Sequence, residues 1–417
     1  MTDTASSAPA GPASAVAPQD DLVRAFDALT PEIMRRRGSL KWTQYGGDVI
    51  GAWVAEMDLG TAPAVTEVLR RAVEDGTLGY MPTDVGEAAR EAVAAFHEQS
   101  FGWRVPVEDV SLLPNVLSAL EAVIERHTRP GSAVIVPTPA YMPFLSIPDR
   151  HGRECVQVPA LRGRAAGRPV WELDLDRIEA AMADGAGLLV LCNPWNPVGR
   201  VLSPAELDAV ATLSSRYRVP VFADEIHSPL VLDPDATHTC YGSRPAAEED
   251  LTFTATAVSK GWNIPGLMCA QLIASGGARA SWEASAPSAH LADETAALGA
   301  RAAAAALTPE GLTWIRTVRG YIRGNAELVA ETLADVDGVE MTAPTGTYLA
   351  WLDCSGLDLQ GTAPARFFRR EPGVAMSPGA AFGRGYERFC RLNLATGRGI
   401  AARIAQRLAG AVGALRA

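Results

Sequence analysis

The chain has 417 residues, which at ~150 residues per domain allows two or three domains with cores of their own. Apolar residues make up 48% and charged residues 20%, which excludes a disordered or fibrous chain. The net charge of −11 argues against a nucleic-acid-binding surface, so no nucleic-acid partner is expected.

Met1–Asp20 is rich in Ala, Ser and Pro and reads as a flexible tail. It has no basic n-region or apolar h-region, so a secretory signal is not expected. Helices are predicted over Ala64–Asp75 and Val85–Ser100, and a strand over Ser132–Val136. Then follow a helix over Leu173–Ala183 and a continuous apolar strand over Gly187–Cys192. Ser203 caps a helix running to about Tyr217, with Glu206 in the capping-box position. Further strands are expected at Val219–Ala223, Leu251–Ala257 and Leu267–Ala274. Apolar strands alternating with amphipathic helices predict an α/β protein with a mostly parallel sheet covered on both faces. Ala292–Ala306 is Ala-rich and helical, and Pro309–Val336 reads as a long helix in two parts, weakened at Gly320 and Gly324. Short strands are expected at Val339–Ala343, Thr347–Leu352, Phe367–Glu371, Val374–Met376 and Phe389–Leu394. With the terminal helix Gly399–Leu415 they form a smaller α+β unit.

The six cysteines form no CxxC pair and read as reduced, buried thiols of a cytoplasmic protein. The six histidines show no metal-ligand spacing, so no metal is expected. No apolar run approaches the ~20 residues of a membrane span.

Of the 37 basic residues only Lys41 and Lys260 are lysine; the other 35 are arginine. Chemistry that needs a side-chain amine must therefore use one of these two. In parallel α/β sheets, ligands sit beyond the carboxyl ends of the strands. The polar residues there are Tyr141, Asn196, the run Asp224-Glu225-Ile226-His227, and Ser259-Lys260. An amine, a carboxylate, an amide and an aromatic ring on one edge are what pyridoxal 5′-phosphate needs. The lysine forms a Schiff base, and the carboxylate keeps the pyridine nitrogen protonated. Taken singly, Asn196 is ordinary turn chemistry, Asp224 a strand-end cap, Tyr141 a core ring and Lys260 a solvated charge. Their joint spacing argues against that reading.

The sequence resembles the fold-type I aminotransferase superfamily, and within it the cystathionine β-lyase-like C–S lyases of the MalY/PatB type. The resemblance runs over about residues 30–415. It is carried by Lys41-Trp42, Trp53-Val54-Ala55-Glu56-Met57-Asp58, Gly79-Tyr80 and Pro139-Ala140-Tyr141-Met142-Pro143-Phe144. It continues through Asn193-Pro194-Trp195-Asn196-Pro197-Val198-Gly199, Asp224-Glu225-Ile226-His227, Ser259-Lys260 and Asn263-Ile264-Pro265-Gly266-Leu267. It ends with Gly346-Thr347-Tyr348-Leu349-Ala350-Trp351-Leu352-Asp353, Ser377-Pro378-Gly379 and Arg391-Leu392-Asn393.

The resemblance implies a role for each position. Lys260 forms the Schiff base and then acts as the base at Cα. Asp224 pairs with the pyridinium nitrogen, Asn196 bonds the ring hydroxyl, Tyr141 stacks on the ring, and His227 lies with the cofactor. Arg391 clamps the substrate α-carboxylate, as an arginine fork suits a planar bidentate partner. Tyr80 reaches the cofactor phosphate of a neighbouring subunit, which implies a homodimer with shared sites. Ala55 lies with the amino-acid substrate, and Trp195 and Trp262, which depart from the family pattern, are expected beside it. The implied division is a tail to residue 20, an N-terminal segment 21–63 packing with the small domain, a cofactor-binding domain 64–295 and a small domain 296–417. No chemistry attaches to the Lys41-Trp42 pair.

Asn115 precedes a helix over Val116–His127, where the amides of Val116 and Leu117 can bind the phosphate. The superfamily's usual serine and arginine around the lysine are replaced by Ala257 and Met268, so Ser259 and Tyr80 must contribute. The missing arginine favours a lyase over an ordinary transaminase. Trp195 stands where the family has His, Gly261-Trp262 where it has Thr-Phe, Glu56 where it has Asp, and Pro229 at a commonly acidic position. The two tryptophans either wall the pocket or merely pack. The expected activity is β-elimination from a bulky L-cysteine S-conjugate. The same residues serve transamination or decarboxylation. A regulatory binding protein is the non-enzymatic rival.

Overall fold

The computed structural model describes residues 19–165 and 167–415. Most of the tail expected over residues 1–20 lies outside them. Gln19 and Asp20 already belong to the first helix, Gln19–Asp27.

A seven-stranded sheet forms the larger layer. Across it run Val110–Leu113, Ala270–Ile273, Thr252–Thr256, Val221–Asp224, Leu188–Cys192, Val134–Thr138 and Cys155–Pro159. Ala270–Ile273 is antiparallel to both neighbours, and every other pairing is parallel. The central strands Val134–Thr138, Leu188–Cys192 and Val221–Asp224 are mostly apolar because both faces are covered. Alternate residues feed two cores. Val134, Val136, Leu188, Val190 and Phe222 pack under the helix Val116–His127. Ile135, Leu189, Leu191, Val221 and Ala223 pack under the helices Leu175–Ala183 and Pro204–Tyr217. The latter helix carries the expected capping box, Ser203 with Glu206.

A second, four-stranded antiparallel sheet runs Glu340–Thr342, Leu349–Asp353, Phe389–Asn393, Ser377–Pro378. The N-terminal segment joins this side of the molecule through a short parallel pairing of Ile50–Gly51 with Val374–Ala375. The long helices Pro309–Leu333 and Arg398–Ala414 pack together, and Phe26 of the first helix sets its ring edge against Tyr321 at 5.2 Å.

Three expected elements differ. Pro309–Leu333 is one continuous helix, not two. Gly324 does not weaken it but admits the Arg398 guanidinium, which would lie 2.6 Å from any Cβ there. Ala292–Ala306 is split into helices Ala286–Asp293 and Ala297–Ala306, because Ala296 is extended and its amide bonds the Met268 carbonyl. Phe367–Glu371 is not a strand. It lies in the helix Pro364–Arg370, where proline in the first turn is pre-set for helical φ and Phe368 points inward.

Sequence alone also passed over the strand Cys155–Pro159 and the exposed hairpin Leu161–Ala165 with Arg168–Glu172. The hairpin holds to the second sheet through ion pairs of Arg162 with Asp353 and Arg164 with Glu340.

Candidate active site

Four parallel strands of the large sheet end on the same edge, and the chain leaving each one carries a polar residue into a single cleft of about 510 Å³. Thr138 leads to Tyr141, Cys192 to Asn196, the third strand ends on Asp224, and Thr256 leads to Ser259 and Lys260. Arg391 enters from the middle of the second sheet, on Phe389–Asn393. The cleft thus joins the two sheets, and its size falls within the ~300–1,000 Å³ typical of ligand sites.

Lys260 is half-buried, and its Nζ donates to the Ala55 carbonyl at 3.1 Å. Burial, helped by Arg391, lowers its amine to about 8. Asp224 is buried; its Oδ1 accepts from the Ile226 amide at 3.2 Å, and burial raises its carboxyl to about 7. Among the described residues the second oxygen has only the Cys192 thiol, at 4.0 Å. That geometry follows from sheet register, which sets Cys192 directly beside Asp224. Arg391 is buried; Nη1 donates to Asn196 Oδ1 at 3.0 Å, and Nη2 to the Trp53 carbonyl at 3.0 Å and Ser377 Oγ at 3.3 Å. Its Nε has no partner among the described residues. His227 Nδ1 meets Thr347 Oγ1 at 2.9 Å, and burial holds the imidazole well below its ordinary range, so it is uncharged.

Asn115 caps the helix Val116–His127 by accepting from the Ser118 amide at 3.0 Å. Val116 and Leu117 therefore open onto the cleft at a helix N-terminus with amides to spare.

Aminotransferase class I and II is the family whose model matches, over residues 48–405. A cystathionine β-lyase of Corynebacterium glutamicum is 37% identical, covering 88% of this chain and 95% of its own. The cystathionine β-lyase PatB of Bacillus subtilis is 32% identical over 85% of this chain and 92% of its own. A solved structure from Corynebacterium diphtheriae, described as a PLP-dependent β-cystathionase, is 35% identical with a TM-score of 0.84, covering 92% of this chain and 98% of its own. The chain belongs to the fold-type I, pyridoxal-phosphate-dependent C–S lyase family.

The residues present fit the cofactor of that family. Asp224 is a buried carboxylate with an oxygen free for a cationic ring nitrogen. Asn196 spends its Oδ1 on Arg391, which leaves its NH2 as a donor for the ring hydroxyl. The unspent helix amides suit a phosphate.

Two tryptophans expected beside the substrate lie elsewhere. Trp195 and Trp262 do not line the cleft. Each is buried in a core and donates its indole N–H to a carbonyl, Trp195 to Pro139 at 2.8 Å and Trp262 to Gly311 at 3.0 Å. A buried indole needs such an acceptor, and meeting it turns both rings inward. The aromatic wall is formed by Tyr45 and Trp53 instead. Tyr80 is fully exposed and lies outside this cleft.

Sequence reading also missed what holds the loop Trp53–Asp58, whose carbonyls serve the site. Asn393 Nδ2 donates to the Val54 and Glu56 carbonyls at 2.6 and 2.8 Å. Asn263 bonds both the amide and the carbonyl of Met57. Lys41 pairs with Asp58 at 2.9 Å, both fully buried, while Trp42 Nε1 donates to the other Asp58 oxygen at 2.8 Å. The Lys-Trp pair is therefore a clamp on the active-site loop. Behind Asp224, Glu225 is also buried: Oε1 accepts from the Tyr241 amide at 2.6 Å and Oε2 faces His238 Nε2 at 3.1 Å. Cys240 lies within 4.8 Å of that pair. No spacing in the sequence signals this network, because Glu225 and His238 are joined by a loop.

Proposed function

We propose that the chain cleaves an L-cysteine S-conjugate by β-elimination, giving a thiol, pyruvate and ammonia. The observation that carries this reading is the meeting of Lys260, Asp224, Asn196 and Arg391 in one cleft. Bound pyridoxal phosphate supplies an electron sink for a carbanion at Cα.

The chain's own residues do the rest. Arg391 receives the substrate α-carboxylate: its guanidinium is already oriented by Asn196, Trp53 and Ser377, and planar bidentate pairing favours arginine over any other cation. Asp224 holds the ring nitrogen's proton in a setting whose burial makes a positive partner favourable. Lys260 takes the Cα proton. An amine lowered to about 8 is partly neutral at physiological pH, as a general base requires. His227, uncharged and bonded to Thr347, supports the cleft without competing for that proton. The Cα electrons then form a Cα=Cβ double bond as the Cβ–S bond breaks with its pair on sulfur; the thiolate is protonated, and water hydrolyses the released 2-aminoacrylate to pyruvate and ammonia. Met268 stands at the exposed left-handed position where transaminases commonly carry an arginine, which supports elimination over amine transfer.

The test is direct. The holoenzyme is expected to release pyruvate and thiol from cysteine S-conjugates in equal amounts. Amine transfer that depends on an added keto acid, without pyruvate, would instead mark a transaminase. An aldehyde with CO2 would mark a decarboxylase.

The reading extends to a homodimer in the cytoplasm. Tyr80, exposed beside exposed Leu78 and Val73, would cross to the partner's phosphate. No described helix is long and apolar enough to cross a membrane. Sedimentation at micromolar concentration is expected to give a dimer.

A further inference from the structure

Beyond the residues that serve the cofactor and the α-carboxylate, the cleft has a second end. We propose that Tyr45 is a specificity residue: with Trp53 it seats an uncharged aromatic S-substituent and disfavours a second amino-acid head such as that of cystathionine. This rests on the C–S lyase reading above.

The charges decide it first. The charged side chains lining the cleft are Asp224, Lys260 and Arg391, and each has its task at the cofactor or the α-carboxylate. His227 is bonded to Thr347. Among the described residues no other charged side chain lines the cleft to form an ion pair with the ammonium and carboxylate on the far half of cystathionine, and the nearby Arg369 guanidinium lies over the Tyr45 ring. Burying them without partners is unfavourable.

Shape and chemistry decide it second. The cleft lining also includes Tyr45, Trp53, Met142, Met376, Pro378 and Ala381. Tyr45 and Trp53 meet edge to face, with centroids 6.0 Å apart and planes at 74°. The pair is set before any substrate arrives. Trp53 Nε1 donates to the Lys41 carbonyl at 3.3 Å, so the buried clamp at Lys41 orients the ring. The Arg369 guanidinium lies over the Tyr45 ring at 5.0 Å. The Trp53 carbonyl is itself a partner of Arg391, so the aromatic pair begins where the α-carboxylate clamp ends. A third ring can extend the edge-to-face arrangement, and the two methionines adapt to its outline.

The experiment compares S-benzyl-L-cysteine, S-methyl-L-cysteine and L-cystathionine as substrates of the holoenzyme, with pyruvate as readout. The unmodified enzyme is expected to prefer the benzyl conjugate over cystathionine in kcat/KM. Tyr45→Ala is expected to lower the benzyl-to-methyl ratio of kcat/KM by roughly 10- to 100-fold, mostly through KM. Tyr45→Phe, which keeps the ring, is expected to restore the ratio, and Tyr45→Arg to shift preference toward cystathionine. Binding of 3-(benzylthio)propanoate, which has no amine to react, is expected to weaken in Tyr45→Ala by calorimetry. An unchanged benzyl-to-methyl ratio, or equal use of cystathionine and the benzyl conjugate by the unmodified enzyme, overturns the seat and leaves the lyase reading intact. No pyruvate from any of the three overturns both.

Discussion

The two lysines lie in regions of opposite character. At Lys41 the pairing is closed. Its ammonium meets Asp58 at 2.9 Å and the Ala395 carbonyl at 3.4 Å, the second Asp58 oxygen takes the Trp42 N–H, and both side chains are buried. At Lys260 the pairing is open. Among the described residues Nζ has a single carbonyl at 3.1 Å, the nearby Asp224 keeps an oxygen for a ligand, and Arg391 leaves Nε unmatched. A saturated ion pair fixes a loop, while an unsaturated set of the same residue types waits for a ligand. Burial alone does not separate the two; the number of unspent donors and acceptors does.

Substitution of each lysine tests that contrast. Lys260→Ala is expected to cut turnover by a factor of about 10²–10⁴ and to remove the visible absorption of the bound cofactor. Its urea midpoint should stay close to that of the unmodified apo protein. Lys41→Met is expected to do the reverse: a loss of about 3–5 kcal/mol in unfolding free energy, with cofactor absorption kept by the folded fraction. If Lys41→Met proves neutral in urea, the closed pair is not what holds the loop. Replacing both partners, Lys41→Met with Asp58→Leu, is expected to recover most of the loss, because no lone charge is left buried.

The smallest effect is a proton. In the apo protein, the rate at which pyridoxal phosphate combines with Lys260 should rise as pH passes through about 8, since only the neutral amine attacks. A midpoint near the ordinary 10.5 would mean that burial does not reach the amine.

The parallel core was legible because fully buried strands are continuous apolar runs, and the site was legible because strand ends are where such sheets bind ligands. What escaped has no local signal. The hairpin strand Leu161–Ala165 is exposed, only Trp171 of its mate Arg168–Glu172 is buried, and their partners Asp353, Glu340 and Thr342 lie far along the chain. Phe367-Phe368 resembles a strand in composition, and only the proline at the helix start says otherwise. Trp195 and Trp262 sit beside cofactor residues in sequence, yet their indole N–H groups turn them into the cores. Tyr45 follows a motif without belonging to its pattern, and only the folded loop carries it to the cleft.

A surface furnished with guanidinium groups alone has a practical side. Lys41 is sealed in the interior, so an acylating dye, a crosslinker or an amine-coupled sensor chip finds one side-chain amine that solvent reaches, at the floor of the cleft. Labelling read at Lys260 itself becomes an occupancy meter, high when the amine is free and blocked when it is engaged. Immobilisation through lysine would tether the molecule by its own active site.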